Sequence, residues 1–392
     1  MGQSQLVQAA NPQPSIINLF ASFLQLGVTA FGGPSMVAYI RKMAVEQKHW
    51  LDEESFRNGV ALCQMVPGAT AMQTAAYVGL RTHGIAGAAA SFVGFGLPAF
   101  TLMLILSALY VRTRTLPTAV SAFTGLQAIV VAIVANAVVS FGKTYLKSWG
   151  NAVIALIAAA MFGLGVNPIL AILLAALLGL VFSRKQSAAP SARSSQAGRS
   201  AQPVLIALPV VAVGFALLFL TQRALFDLAA LMFRIDLFAF GGGFASIPLM
   251  YHEVVKVHAW MDGPTFLDGI VLGQITPGPI VITATFVGYL LHGLIGGVIA
   301  TLSILLPSFL MVVGVAPYFD QLRAWPYFNK MIGGILCSFV GLLLTVTLRF
   351  AGNVQWDLAR VLLAGVALAA LLLKVDILWV VLIGTVISII VL

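Results

Sequence analysis

Residues 273–289 read GQITPGPIVITATFVGY. The stretch is apolar enough for a lipid interior, yet Pro277-Gly278-Pro279 stands at its middle. Proline lacks an amide hydrogen and clashes with the preceding helical turn, and glycine loosens the backbone. Lipid cannot satisfy the amides and carbonyls that such a break frees, each worth roughly 2–7 kcal/mol on transfer scales. A break here therefore has to face protein or a water-filled hollow.

The surrounding chain has the composition of a membrane protein. Of 392 residues, 60% are hydrophobic and 8% charged, too little charge to cover a soluble surface of that size. Apolar runs of helix-spanning length, such as VLIALPVVAVGFALLFL (204–220), exclude the alternating strands of an outer-membrane barrel. The expected fold is all-α, a polytopic transmembrane bundle with Pro/Gly-broken helices. Net charge is +9, from 21 Lys+Arg against 12 Asp+Glu. That excess marks cytoplasmic loops, and it also suits an anionic cargo. No basic stripe or aromatic platform points to nucleic acid. Cys63 and Cys337 form no C-x-x-C, and the five histidines lack H-E-x-x-H spacing. No metal site and no cofactor is expected. No charge precedes Arg41, so the positive n-region of a cleaved signal peptide is lacking, and the apolar run at 16–30 is expected to stay in the membrane. A bacterial inner (plasma) membrane is the simplest location.

The chain also repeats itself. Phe31-Gly32-Gly33 matches Phe240-Gly241-Gly242 at an offset of 209. At an offset of 210, Trp50, Asp52, Phe56, Gly59, Gln64, Pro67 and Gly68 match Trp260, Asp262, Phe266, Gly269, Gln274, Pro277 and Gly278. The offset returns to 209 at His83-Gly84 with His292-Gly293, and at Pro98 with Pro307. Two homologous transmembrane halves follow, 1–183 and 204–392, joined by a basic, Ser/Ala/Gln-rich flexible linker at 184–203 expected in the cytoplasm. The segment 41–57 holds four basic residues and its counterpart 250–267 only Lys256, which places them on opposite faces and makes the repeat inverted. Whether each Pro-Gly element crosses or turns back is left open.

Broken segments in corresponding positions of two halves are the best sequence pointer to a transport site. Pro67-Gly68 and Pro277-Gly278-Pro279 would present free amides and partial positive charge to an anion. Beside them stand Gln64, Thr70, Gln274 and Thr276 as candidate ligands, although Gln and Thr also simply tie helices together. Gly32, Gly33, Gly241 and Gly242 form a second pair of breaks, read either as cavity lining or as close packing. Arg57 approaches the first break, but Glu53 and Glu54 could pair with it. Arg41 is a cationic mouth or a solvated anchor. Arg234 and Asp236 are charges inside an apolar segment, a functional signal by default, and at i,i+2 each needs a partner elsewhere. Arg41, His83, Arg234, Asp236, His252 and His292 are candidates for gating or proton coupling.

These residues together resemble the chromate ion transporter family, long two-domain type. The resemblance covers about residues 15–390 and rests on FGGP (31–34), PGA (67–69), FGGGFASIPL (240–249), GQITPGP (273–279), FVGY (286–289) and LPSF (306–309). It implies a secondary carrier of the inner membrane, exporting chromate by proton gradient or anion exchange and conferring chromate resistance. Two positions depart from the family pattern: Val37 stands where members often have histidine, and Ala69 where the second half has Pro279. Sulfate is carried as an equivalent oxyanion, since nothing in the residues separates the two. Lipid and a second copy of the chain, as a homodimer, complete the expected partners. An uncoupled oxyanion channel or a sulfate carrier of the same fold is the alternative. A membrane-embedded enzyme is disfavoured by the missing acid–His cluster.

Overall fold

The computed structural model describes residues 14–31, 35–182 and 202–392. The first half comprises α1 (Ile16–Thr29), α2 (Ser35–Arg41), a π-helical turn (Lys42–Gln47), α3 (Glu53–Met65), α4 (Thr70–Thr113), α5 (Pro117–Tyr145), α6 (Trp149–Gly163) and α7 (Pro168–Phe182). An extra helix, α8 (Gln202–Thr221), precedes the second half. That half comprises α9 (Arg223–Leu237), α10 (Ser246–Tyr251), a π-helical turn (His252–Val257), α11 (Gly263–Ile275), α12 (Thr283–Val315), α13 (Phe319–Ala324), α14 (Pro326–Asn353), α15 (Leu358–Leu372) and α16 (Ile377–Val391). No strand occurs among the described residues. The linker expected at 184–203 lies outside them except for its last two residues.

The repeat holds residue by residue. Asp52 and Asp262 cap α3 and α11 by accepting from Ser55 N and Thr265 N, each at 2.8 Å. Both π-helical turns fall at the same repeat position, and Pro117 and Pro326 open α5 and α14. His83 (φ −132, ψ 25) and Gly84 (φ 64, ψ −147) are reproduced by His292 (φ −137, ψ 24) and Gly293 (φ 60, ψ −148).

Four helices among the described residues are long and apolar enough to cross a membrane: Thr70–Thr113, Pro117–Tyr145, Ile280–Tyr318 and Pro326–Asn353. The first has 44 residues, about 66 Å if straight, twice a bilayer core. It is not straight. At His83-Gly84 the chain reverses, and Gly79 packs directly on Gly87. In α12, Gly288 packs on Gly296 and the Thr285 and Thr301 hydroxyls share a 2.6 Å hydrogen bond. Each long helix is thus two antiparallel limbs, 70–82 with 85–113 and 283–291 with 294–315.

The Pro-Gly elements turn back as well. Gly59 lies against Tyr77, Gly269 against Phe286 and Gly273 against Thr283, pairs that close symmetrically around each break. So α3 and α11 enter, reverse at Pro-Gly, and return as the first limbs of α4 and α12. α9 does likewise at Gly241-Gly242: Arg234, before that turn, pairs with Glu253 after it at 2.8 Å.

The second limbs of α4 and α12 establish the inversion. Phe92 meets Phe309, Gly96 meets Leu305 and Leu104 meets Gly297, so rising numbers on one limb face falling numbers on the other. These limbs are equivalent by the repeat. Equivalent helices that pack antiparallel are related by an axis across them, so one half is upside down with respect to the other. The halves also exchange their ends. α6 and α7 pack on α14 through Gly341 against the Ala155 carbonyl and Gly334 against Gly179. α15 and α16 pack on α5 through Gly384 against Ile129 and Gly125 against Ser388.

Candidate functional site

The two Pro-Gly tips meet the two Phe-Gly-Gly segments at the centre of the molecule. Gly68 N–H donates to the Ala239 carbonyl at 2.9 Å, and Gly278 N–H donates to the Ala30 carbonyl at 3.1 Å. The bonds are repeat-equivalent and crossed, each tip held by the opposite half. Both glycines need φ far into positive values, +122 at Gly68 and +116 at Gly278. The freed groups of the breaks are therefore satisfied mainly by protein. Pro67 O accepts from Gln73 Nε2 at 2.6 Å in the same way.

One amide has no counterpart. Ala69 stands where the second half has Pro279, so the first tip carries an extra N–H. It donates to Ser308 Oγ at 2.8 Å. Ser308 Oγ in turn donates to Asp236 Oδ2 at 2.7 Å, and Ser308 N donates to the same oxygen at 2.9 Å. The repeat-equivalent residues are Ala99 and Gly27, both nonpolar. Ser308 and Asp236 thus occur on the side where the additional donor has to be met. A buried donor left unpaired costs about 1–3 kcal/mol. Ser308→Ala should lower stability by about that amount. In the Ala69→Pro background, where the amide is gone, its penalty should shrink, and Ala69 already has a proline-compatible φ of −76. A thermal-melt double-mutant cycle reads the difference, and fully additive penalties would contradict the chain of bonds.

Beside the tips lies a cavity of about 790 Å³. Its floor is made by both breaks: Ala69 and Thr70 from the first half, Gly241, Gly242, Gly273, Gln274, Thr276, Gly278 and Pro279 from the second. Gln64 lines it from α3, and α5 supplies a wall of Ser140, Phe141, Thr144 and Tyr145. Arg41, Glu53, Phe56 and Arg57 line its mouth, on the face where α3 begins. Arg57, Gln64, Thr70, Gly241, Gly242, Gln274, Thr276, Gly278 and Pro279 are thereby gathered around one hollow.

Other expected residues sit elsewhere. Gly32 and Gly33 lie outside the described residues. Pro67, Gly68 and Pro277 shape the tips without lining the cavity. Arg41 is held by Glu46 at 2.5 Å and Glu53 at 2.8 Å, so its charge is compensated at the mouth. Its hydrogen bonds hold the exposed Glu53 carboxyl below the usual carboxylate range. With Glu53 so engaged, Arg57 makes no direct ion pair among the described residues, although its charge still reaches Glu53 and helps hold that carboxyl down. Arg234 pairs with Glu253 rather than with any cavity group. Asp236 is fully buried at the Ser308 link. His83 and His292 make the limb turns, and His252 is buried against the Phe162 ring, with none of the three in the cavity. Asp268, inside FLDGIVLGQ, was missed. It accepts from Tyr110 Oη and Gln127 Nε2, both at 2.8 Å, tying α11 to α4 and α5. The α5 wall was missed too; only its short polar pairs Ser140 and Thr144 mark it in sequence.

Two inverted halves around a one-sided polar cavity, built on broken helices, define a membrane transporter by architecture. The chain belongs to the chromate transporter family: residues 17–180 and 226–389 each match that family, so both halves are members of it. It is 44% identical over 378 residues to an uncharacterised transporter of Methanocaldococcus jannaschii, covering 96% of this chain and 94% of that protein. A chromate transport protein of Cupriavidus metallidurans is 32% identical over 366 residues, covering 92% and 89%. A chromate transport protein of Pseudomonas aeruginosa is 31% identical over 353 residues, covering 88% and 83%. No solved structure matches.

Proposed function

We propose that the protein is a secondary carrier exporting chromate or a like tetrahedral oxyanion, with the cavity as its loading site. The observation that carries this reading is the convergence of Arg57, Gln64, Gln274, Thr70 and Thr276 on one hollow between two inverted tips. A desolvated dianion needs donors and positive charge. Arg57 supplies the charge and Gln64, Gln274 and Thr70 the donors, the Thr276 hydroxyl being spent on the Gly273 carbonyl at 2.9 Å, and no unpaired acid opposes them. The orientation supports export. At the mouth face stand Arg41, Lys42, Lys48, Arg57, Arg81, Lys143 and Lys147. The equivalent positions on the other face are Tyr251, His252, His258, Leu267, Leu290, Gly352 and Trp356. Lysine and arginine mark the cytoplasmic face, so the cavity opens to the cytoplasm, in an inner or plasma membrane. Proton coupling or anion exchange drives the cycle, and chromate resistance follows from it.

Radiolabelled chromate flux in proteoliposomes, with and without a pH gradient, tests the reading. Saturable flux stimulated by trans chromate or sulfate is the expected result; non-saturating flux would make the protein a pore. Arg57→Gln is expected to raise the KM about tenfold or more, the worth of one charge-assisted contact. An unchanged KM would make Arg57 a surface anchor.

A further inference from the structure

We infer that the molecule holds a second oxyanion vestibule on the face opposite Arg57, sealed in this conformation, with Arg349 as its cation. The inference rests on the carrier reading and extends it to the release side.

The inverted repeat locates the vestibule. The mouth-face cavity is lined by Arg41, Phe56, Ser140, Phe141 and Thr144. Their repeat equivalents on the other face are Tyr251, Phe266, Arg349, Phe350 and Asn353. There the space is filled. Tyr251, Phe266 and Phe350 are 1%, 1% and 0% exposed. Their rings meet edge to face, with Tyr251 at 5.6 Å from Phe266 and 5.2 Å from Phe350. Asn353 Nδ2 donates to Tyr251 Oη at 3.3 Å and lies against Gly263, the equivalent of Glu53. The same backbone thus surrounds an open hollow on one face and an aromatic plug on the other.

Arg349 gives the sealed space a chemistry. Its Nη2 donates to the Phe162 carbonyl at 2.5 Å, and its guanidinium stacks on the Phe162 ring at 4.4 Å. Nη1 is buried with no partner. A lipid-interface anchor would turn that nitrogen to water. A buried acid of this face, Glu253, is committed to Arg234 at 2.8 Å, and the His252 ring also packs against Phe162. A guanidinium with an unused donor, at the position where Ser140 lines the open cavity, is placed to take an oxyanion once the plug parts. Cations then stand at unlike positions in the two states, Arg57 on α3 for loading and Arg349 on α14 for release. Because inverted repeats can exchange conformations, the open half shown here is the template for the opened second half.

Oriented proteoliposomes test this with chromate presented at one face at a time. Wild-type KM is measured from each face, then for Arg349→Gln, Arg349→Lys and Asn353→Asp. Arg349→Gln should raise KM about tenfold from the face opposite Arg57 and leave the Arg57 face unchanged, the loss of one charge-assisted contact. Lysine should recover part of it. Asn353→Asp, which puts a carboxylate into the sealed space, should raise the same one-sided KM even if the Arg349 variants fold poorly. Arg57→Gln should show the opposite sidedness. Equal KM changes at both faces, or none at either for Arg349→Gln and Asn353→Asp, would overturn the inference. Absence of wild-type flux would instead overturn the carrier reading.

Discussion

Gly278→Val should abolish transport and lower the melting temperature sharply. The backbone there has φ +116, a region a β-branched residue does not adopt, and the strain is about 1–3 kcal/mol. A Cβ at this position would lie 2.7 Å from the Ala99 Cβ of α4, and overpacking of this kind adds about 1–3 kcal/mol. Any shift that relieved the clash would break the Gly278–Ala30 hydrogen bond and move the cavity floor with it. Total stability is about 5–15 kcal/mol for a typical protein, so the combined penalty is a large share. Gly68→Val should act alike, because its Cβ would overlap Ser308 Oγ. Gly214→Val in α8 is the control: nothing lies within 4 Å of a Cβ there. Melts and flux for the three variants check this; wild-type values for Gly278→Val would mean that the tips are not clamped across the halves.

A comparably large effect is expected at the limb crossings. In α12 a Cβ on Gly288 would fall on the Gly296 carbonyl oxygen, and in α4 one on Gly79 would fall on that of Gly87. Backbone cannot yield as a side-chain end can. Gly288→Leu should therefore prevent the hairpin from closing, and the protein should be lost or aggregated on size exclusion. Gly365→Ala in α15 should be nearly silent, since its φ is not positive and nothing lies within 4 Å of a Cβ there. Gly293→Asn, at the turn itself, should cost about 1–3 kcal/mol, because φ +60 with ψ −148 is a region only glycine adopts readily. If Gly288→Leu elutes and melts like wild type, the limbs do not pack through these glycines.

Much of this fold could be read from residue identities because the breaks are covalent. Proline and glycine at 67–68 and 277–279 constrain the backbone whatever surrounds them, and their repetition at a fixed offset exposed the two halves. The His-Gly turns were visible as matched pairs too, but they read as functional histidines because composition does not tell a helix reversal from a titrating site. Which way each element turned was not readable. Reversal depends on glycines meeting across space, such as Gly59 with Tyr77, and one sequence does not pair them.

The site was legible in part for the same reason. Gln64, Gln274, Thr70 and Thr276 adjoin the breaks in sequence and so adjoin the cavity. Glu53 was read as a partner for Arg57, but its placement gives it to Arg41 together with Glu46, and one sequence does not show which arginine an acid reaches. Asp236 signalled itself as an intramembrane charge, yet its link to the Ala69 amide runs through Ser308, far away along the chain. The α5 wall carries no signature because Ser140 and Thr144 are ordinary membrane-helix residues.

The central claim is that an oxyanion sits between the inverted tips. Equilibrium dialysis of radiolabelled chromate against purified protein in detergent measures this without transport. One saturable site per chain is expected, weakened about tenfold or more in the Gln64→Ala/Gln274→Ala pair through loss of two donors to a charged ligand. Wild-type affinity and stoichiometry in that folded double variant would contradict the account.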